Sequence, residues 1–231
     1  MNQITLNLIA IGIFSIVLMV LGGPLIHLSP TVPALIVTVI LIGATMDTLG
    51  FQGQGGDLFI DAIAQQNPEY RRRILHHEAG HFLVAYLLDI PVTDYTLSAW
   101  AALQKGQKGR GGVQFDVSQI VAQAETGTLS AQAINTYCTI WMAGIAAEQW
   151  MYGEAEGGGS DRQQIQLLWS RLNVSNSQCE TKIRWSILNA KTLIEQHQPT
   201  YLALVEKMKE QATVEDCIKA IQLCQLAASS A

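Results

Sequence analysis

The sequence HEAGH at positions 77–81 constrains this chain more than any other stretch. On a helix, His77 and His81 lie four positions apart and project from one face, with Glu78 beside them. Two imidazoles so placed can share one zinc ion, and a neighbouring carboxylate can take a proton from water. The spacing therefore predicts a zinc-binding helix with Glu78 as general base, whereas His76, about 100° around the helix from His77, is expected to be a bystander. The ordinary alternative is a surface helix with an unrelated His and Glu pair.

A third zinc ligand is expected from the acids that follow the long central helix. Asp161 is predicted to lie at the start of a helix with Ser160 as its N-cap, whereas Glu154 and Glu156 lie in a Gly-rich turn. A ligand on a rigid element is held more accurately, so Asp161 is favoured over the two glutamates. An acid at a helix N-terminus also has a simpler role as a partner of the helix dipole.

The distribution of charge separates the chain into two parts. Of the 231 residues 49% are hydrophobic and only 14% are charged, which is apolar for a soluble protein. No Lys or Arg precedes Arg71, and Asp47 is the single acid among the first 50 positions. The net charge of -5 and the lack of a basic stripe argue against a nucleic-acid partner. The four cysteines form no CxxC pair and predict reduced core thiols; they are Cys138, Cys179, Cys217 and Cys224.

The apolar residues concentrate in two runs near the N-terminus. Ile4–Leu21 approaches the length needed to cross a bilayer as a helix. A secretory signal would begin with positive charge, and none precedes this run. A second run extends from Pro33 to about Leu49. The pair predicts a transmembrane helical hairpin over residues 1–50 in a lipid bilayer, with both chain ends on one side. The alternative is a hairpin buried in a soluble core, because the second run is shorter and interrupted.

The remainder predicts a mainly α fold with a small two-stranded β element. Residues 51–64 form a Gly/Gln-rich linker followed by a short helix, and residues 65–231 form the zinc-binding domain. The predicted elements of that domain are helix 68–88, strands 92–100 and 112–115, helix 129–152 and four helices between 161 and 226. The strands offer an edge to which an extended peptide could add. The loop sequence GQKGRGG lacks the GK[ST] ending of a phosphate-binding loop, so no nucleotide is expected.

Several of these motifs together resemble the peptidase domain of FtsH, the membrane-bound ATP-dependent zinc protease. They are HEAGH at 77–81, GGVQF at 111–115, AGIAAE at 143–148, YGE at 152–154 and GSD at 159–161, in matching order and approximate spacing. The resemblance extends over residues 65–226. It implies an α-helical, zincin-like domain with His77, His81 and Asp161 as zinc ligands. It also implies that Glu78 is the catalytic base.

The resemblance also implies a setting for the domain. Two membrane helices match the FtsH arrangement, which places the peptidase domain on the cytoplasmic side, or in the stroma or matrix of an organelle. Only residues 50–76 separate the second apolar run from HEAGH, where FtsH has an AAA ATPase, and no Walker motif occurs. Arg162 and Ile145 also depart from the FtsH pattern, and both changes could alter hexamer contacts or the cleft.

Two functions follow as expectations. The first is a membrane-anchored, ATP-independent zinc metalloendopeptidase that cleaves unfolded or membrane-associated proteins, alone or as a homo-oligomer. The second is a proteolytically quiet scaffold or regulatory partner of FtsH-type protease complexes, which the missing ATPase suggests. An intact ligand set favours the enzyme, since a scaffold has no physical need for Glu78 beside two such histidines.

Overall fold

The structure is a computed structural model that describes residues 3–50, 54–107, 111–172 and 175–229. As predicted, the described residues are mainly helical, with one two-stranded sheet among them. It divides into two compact units, each made of two stretches of chain. The first unit contains Met1–Asn67 and Ser98–Gly111, and the second contains Pro68–Leu97 and Gly112–Ala231.

The first unit contains one stretch that could cross a membrane. Its elements are helices α1 (Gln3–Gly22), α2 (Thr31–Gly50), α3 (Gln54–Ala64) and α5 (Ala99–Gln104), with a 3-10 turn at Gly23–Ile26. Within the described residues, Ile9–Ile26 is long and apolar enough to span a bilayer, and only 6% of it is buried within the protein. The apolar part of α2, Thr31–Asp47, is shorter. One candidate span is therefore present, while the second span of the predicted hairpin stays a prediction.

The start of α3 depends on Asp47. Its carboxylate oxygens accept hydrogen bonds from the backbone N–H groups of Gly55 and Gly56, at 2.8 and 3.0 Å. Acceptors at a helix start satisfy N–H groups that have no partner within the helix. A Cβ on Gly55 would lie 2.7 Å from Asp47 Oδ1, so this approach requires glycine. The helix predicted from Asp57 therefore begins earlier, at Gln54, and residues 51–53 of the predicted linker lie outside the described residues.

The sheet lies in the second unit and is shorter than predicted. Strands β1 (Val92–Thr96) and β2 (Gly112–Phe115) pair antiparallel, with Tyr95 opposite Val113. The prediction of a strand continuing to Trp100 is wrong. Ser98 instead caps α5, because its Oγ accepts a hydrogen bond from the backbone N–H of Ala101 at 3.2 Å. Of the loop predicted between the strands, residues 108–110 lie outside the described part.

The rest of the second unit is a helical core around α4, the helix that carries HEAGH. Its helices are α4 (Pro68–Leu87), α6 (Ser118–Glu125), α7 (Ala131–Trp141), α8 (Ala143–Tyr152), α9 (Gly159–Arg171), α10 (Asn176–Gln196), α11 (Gln198–Lys209) and α12 (Val214–Ser229). Helix α4 packs against α8, α10 and α11. Its residues Phe82, Leu83 and Val84 are fully buried, so HEAGH lies on a helix that the core holds on several sides.

Two predicted helix boundaries are wrong. The single helix predicted for residues 129–152 is two helices, which meet at Met142, whose φ of -89° and ψ of -2° interrupt the helical geometry. The N-cap of α9 is Gly158 rather than Ser160, because Gly158 adopts a left-handed conformation with φ of 85° that favours glycine.

All four cysteines are free thiols, and Cys138, Cys179 and Cys217 are buried, as expected for core residues. Burial raises the pKa of Cys138 to about 12, which keeps it protonated and unreactive.

Candidate metal centre

Small residues allow α8 to approach α4 closely at the HEAGH motif. A Cβ on Gly80 would lie 2.5 Å from the carbonyl oxygen of Ala143 and 2.7 Å from the Cβ of Ala147. A Cβ on Gly144 would overlap the imidazole ring of His77. Such approaches are possible only for glycine, since real Cβ atoms do not come so near. The run of small residues that begins α8 therefore brings its backbone against the motif.

The three predicted ligands converge at this place. His77 Nε2 lies 3.0 Å and His81 Nε2 lies 3.6 Å from Asp161 Oδ2, and the three donor atoms all lie within 4.8 Å of one another. Metal bonds of about 2.0–2.2 Å place the donors of a tetrahedral site about 3.4 Å apart. The distances of both imidazoles from Asp161 are near that spacing, so the group could hold a metal ion.

Both imidazoles are held from the side opposite to Asp161. The Nδ1–H of His77 donates to Glu148 Oε1 at 2.6 Å, and the Nδ1–H of His81 donates to the backbone carbonyl of Ile140 at 2.7 Å. A neutral imidazole that donates through Nδ1 keeps its lone pair on Nε2, the atom that faces Asp161. Hydrogen bonds of this kind orient metal-binding histidines. These two hydrogen bonds therefore fix the directions in which both Nε2 atoms point.

Asp161 reaches the group because of the turn before α9. Gly158 packs so tightly on Ile145 that a Cβ there would overlap the Ile145 side chain. Asp161 lies in the first turn of α9, and its side chain is 17% exposed. Of the two alternative acids, Glu154 is exposed and Glu156 pairs with Arg73 at 3.3 Å. Among the described residues, only Asp161 joins the two histidines in a metal-binding group.

The side chain of Glu78 extends from α4 to β2. Its Oε2 accepts a hydrogen bond from the backbone N–H of Val113 at 2.8 Å. A Cβ on Gly112, whose φ is 121°, would lie 3.2 Å from the same oxygen. The carboxylate also lies near enough to both motif histidines to raise their pKa values. Glu78 therefore lies beside the metal-binding group and next to the edge of the sheet.

His76 serves the fold rather than the metal-binding group. It is buried, and its Nδ1 lies 2.9 Å from the hydroxyl oxygen of Tyr201. The Tyr201 hydroxyl itself donates to the backbone carbonyl of His76 at 3.0 Å. With its only proton used in that bond, the hydroxyl accepts from Nδ1–H of His76. Burial and the charge of Arg72 lower the pKa of His76, so it remains neutral and ties α4 to α11.

When no metal ion is bound, the pKa values of the two imidazoles favour their protonated forms. Burial acts to lower the pKa of His77, but hydrogen bonds to Asp161 and Glu148 outweigh it and raise the pKa well above 6.5. The pKa of His81 is also raised, because Asp161 outweighs burial. Burial acts to raise the pKa of Asp161, but the two imidazoles hold it far below 3.8. A metal ion would displace these protons from the imidazoles, since only the neutral ring is a ligand.

Two features of this centre could not be identified from the sequence. Glu148 was noted there only as part of a resemblance, yet it is 2% exposed and bonded to a predicted ligand. The only signal was an acid directly after the small apolar run 143–147. Gly144 carried no signal of its own, because its role depends on the contact with His77.

No model of a known protein family matches the chain, and no curated protein is significantly similar to it. The resemblance to FtsH therefore stays a prediction.

Proposed function

We propose that this chain is a membrane-anchored, ATP-independent zinc metalloendopeptidase. The observation that carries the proposal is the convergence of His77 Nε2, His81 Nε2 and Asp161 Oδ2, with Glu78 beside them. A scaffold has no physical need for two histidines and two acids that face a common point.

Zinc is the metal that these donors suit best. Imidazole nitrogen and carboxylate oxygen both bind zinc, whereas calcium and magnesium prefer oxygen ligands alone. Structural zinc sites are usually closed by four protein ligands and rich in cysteine. Here the described residues supply three protein ligands and the cysteines lie outside the group, which supports a catalytic site with a position left for water or substrate.

The protein residues divide the chemistry among them. Zinc, when bound to His77, His81 and Asp161, would act as a Lewis acid that polarises the scissile carbonyl and acidifies water. Glu78 takes the proton from the attacking water and returns it to the leaving amine. The hydrogen bond from the Val113 N–H holds one Glu78 oxygen, which leaves the other for the proton.

The substrate is proposed to be an extended polypeptide. Among the described residues the sheet has two strands, so β2 pairs with a strand on one side alone, and the Val113 N–H of β2 donates to Glu78. A peptide adding along such an edge would form main-chain hydrogen bonds whatever its side chains. Unfolded and membrane-associated proteins supply segments of this kind without an unfolding motor.

The site of action is proposed to be a membrane surface. The apolar stretch Ile9–Ile26 supports an anchor, and α2 is proposed as a second span that completes a hairpin. Arg73 precedes HEAGH on α4, and Asp89 follows the end of that helix. Charged residues are costly within a bilayer, so the site is proposed to lie outside the hydrocarbon. The domain is proposed to face the cytoplasm, or the stroma or matrix of an organelle.

The proposal is tested with the full chain purified in detergent. Metal analysis should find about one zinc per chain, and the protein should cleave casein. Glu78→Gln should keep the metal and the fold, because the amide oxygen can still accept from Val113, but lose cleavage. Glu125→Gln makes the same change on an exposed side chain of α6 and should cleave normally.

Other outcomes would change the assignment. Equal cleavage by wild type and Glu78→Gln would contradict the mechanism. A zinc-loaded wild type that cleaves no unfolded protein but co-purifies with an ATP-dependent protease would favour the scaffold or regulatory partner.

A further inference from the structure

Glu148 connects one proposed ligand to the chain segment that carries another. Its side chain is 3% exposed, and Oε1 accepts from His77 Nδ1 at 2.6 Å. Its other oxygen, Oε2, accepts from the backbone N–H groups of Glu156 and Gly157, at 2.9 and 3.4 Å. Those two residues belong to the turn that leads into α9 and Asp161. One buried carboxylate therefore bonds to His77 and to the turn before Asp161.

Arg73 completes this connection from the other side. It lies one helical turn before His77 on α4, and its side chain is only 12% exposed. Its Nη1 lies 3.8 Å from Glu148 Oε2, and its Nη2 lies 3.3 Å from Glu156 Oε1. The guanidinium also stacks on the ring of Tyr152, 4.5 Å from the centroid. A buried carboxylate is costly without an opposite charge, and Arg73 supplies that charge.

The space around these contacts leaves little freedom. A Cβ on Gly157 would lie 2.6 Å from Glu148 Oε1 and 3.3 Å from His77 Nδ1. Arg73 Nε and Nη1 are buried without a hydrogen-bond partner, so the guanidinium is held by charge and packing rather than by a full set of hydrogen bonds. A shift of Arg73 would therefore be transmitted to Glu148 and to the turn.

We propose that Arg73 and Glu148 are positioning residues for the metal centre. Arg73 holds Glu148, and Glu148 sets both the direction of His77 Nε2 and the path of the turn that places Asp161. This inference rests on the proposed metal site and adds two residues to it, neither of which touches metal or substrate.

The test uses the full chain in detergent and two measurements that do not depend on catalysis. The first is Co²⁺ affinity from the visible absorption of the bound ion, and the second is amide hydrogen exchange at Glu156 and Gly157 in the metal-free protein. Arg73→Met should weaken Co²⁺ binding about 10–100-fold and speed exchange at both amides, and Glu148→Gln should do the same. Arg73→Lys keeps the charge and should lose less.

Glu69→Gln is the matched control. Glu69 also pairs with Arg73, at 3.8 Å, but its side chain is 59% exposed. This variant should bind Co²⁺ like wild type and leave exchange at the two amides unchanged. If Arg73 contributed packing alone, its substitution would lower the melting temperature. Co²⁺ affinity and amide exchange, both measured below that temperature, would then stay unchanged.

The outcomes separate the positioning role from the metal site itself. Co²⁺ affinity within about twofold of wild type in folded Arg73→Met and Glu148→Gln would overturn the inference. Should wild type bind no Co²⁺, the proposed function fails, and slow exchange unchanged by either substitution would overturn the positioning role as well. If Arg73→Met does not fold, Arg73→Lys and Glu148→Gln provide the same comparison.

Discussion

His77 Nε2 and Asp161 Oδ2 lie 3.0 Å apart although 84 positions separate the two residues in the chain. Both side chains are mostly buried, with 12% of His77 and 17% of Asp161 exposed. The fold therefore brings the donors together by its own packing, through α8 on one side and the turn before α9 on the other. Such preorganisation lowers the cost of binding an ion.

Removing the carboxylate should test the third ligand. Asp161→Asn leaves the size unchanged but replaces a charged ligand with an amide, so zinc content should fall from about one per chain to near zero after dialysis against a weak chelator. Glu154→Gln changes an acid of the neighbouring turn that is exposed. Glu154→Gln should keep full zinc content. A loss of zinc in Glu154→Gln, with no loss in Asp161→Asn, would show that Asp161 is not the third ligand.

The close approach of α8 to His77 should not tolerate a methyl group. In Gly144→Ala the new Cβ would overlap the imidazole ring, so the helix or the ring must shift. Overpacking of this kind costs about 1–3 kcal/mol, and we expect lower stability in urea together with weaker Co²⁺ binding. At Gly159 a Cβ meets nothing within 4 Å and φ is not left-handed. Gly159→Ala should therefore behave like wild type.

The stabilisation by metal should grow with pH. In the metal-free protein the raised pKa values of His77 and His81 mean that their pairing with Asp161 is fully present below about 6.5 and is lost as pH rises through those raised values. The contribution of Asp161 is present above 3.8 and is lost only in stronger acid. A metal ion needs the neutral imidazoles, so its affinity rises over the same range.

The measurement is the rise in melting temperature on adding Co²⁺. This rise should be larger at about pH 8 than at about pH 6, and proton release should accompany binding near neutral pH. A rise that stays constant or shrinks with pH would show that the imidazoles are not the ligands. His76 is the control position. It lies outside the group and its pKa is lowered, so it should not contribute to this pH dependence.

The contact between His76 and Tyr201 should contribute to stability rather than to metal binding. Tyr201→Phe removes a buried hydroxyl that both accepts from His76 Nδ1 and donates to its carbonyl. A buried donor left without a partner costs about 1–3 kcal/mol, and the loss should show in urea unfolding. Tyr137→Phe removes a hydroxyl whose bond to the carbonyl of Asp116 is only partly buried, and should cost less. Co²⁺ affinity should be unchanged in both variants, and a tenfold loss in Tyr201→Phe would contradict this division of roles.

The candidate membrane span should be sensitive to charge at its centre. Leu18 lies in the middle of Ile9–Ile26 and is 59% exposed in the protein, as expected for a lipid-facing residue. Leu18→Arg should cost about 2.5–3.5 kcal/mol of insertion and move part of the chain out of the membrane fraction. Leu25→Arg places the same charge at the end of the stretch, where it can reach the interface, and should fractionate like wild type. Equal behaviour of the two variants would argue against a membrane span.

The sequence by itself determined the local features of this protein. The spacing in HEAGH is enough to place His77 and His81 on one face of a helix, because helix geometry relates residues four positions apart. The apolar N-terminal run, the mainly helical composition and the strand at Gly112–Phe115 could be predicted for the same reason. Each of these patterns involves residues close together in the chain, where local geometry decides the outcome.

Only the tertiary structure decided which distant groups meet. The meeting of Asp161 with the two histidines, the role of Glu148 and the need for glycine at position 144 all depend on how α4, α8 and α9 pack. The end of β1 and the break at Met142 also escaped prediction, because a side-chain cap or a bend of one residue competes with the periodic pattern by small energies. Packing over long separations in sequence chooses among such alternatives, and short-range periodicity carries no information about it.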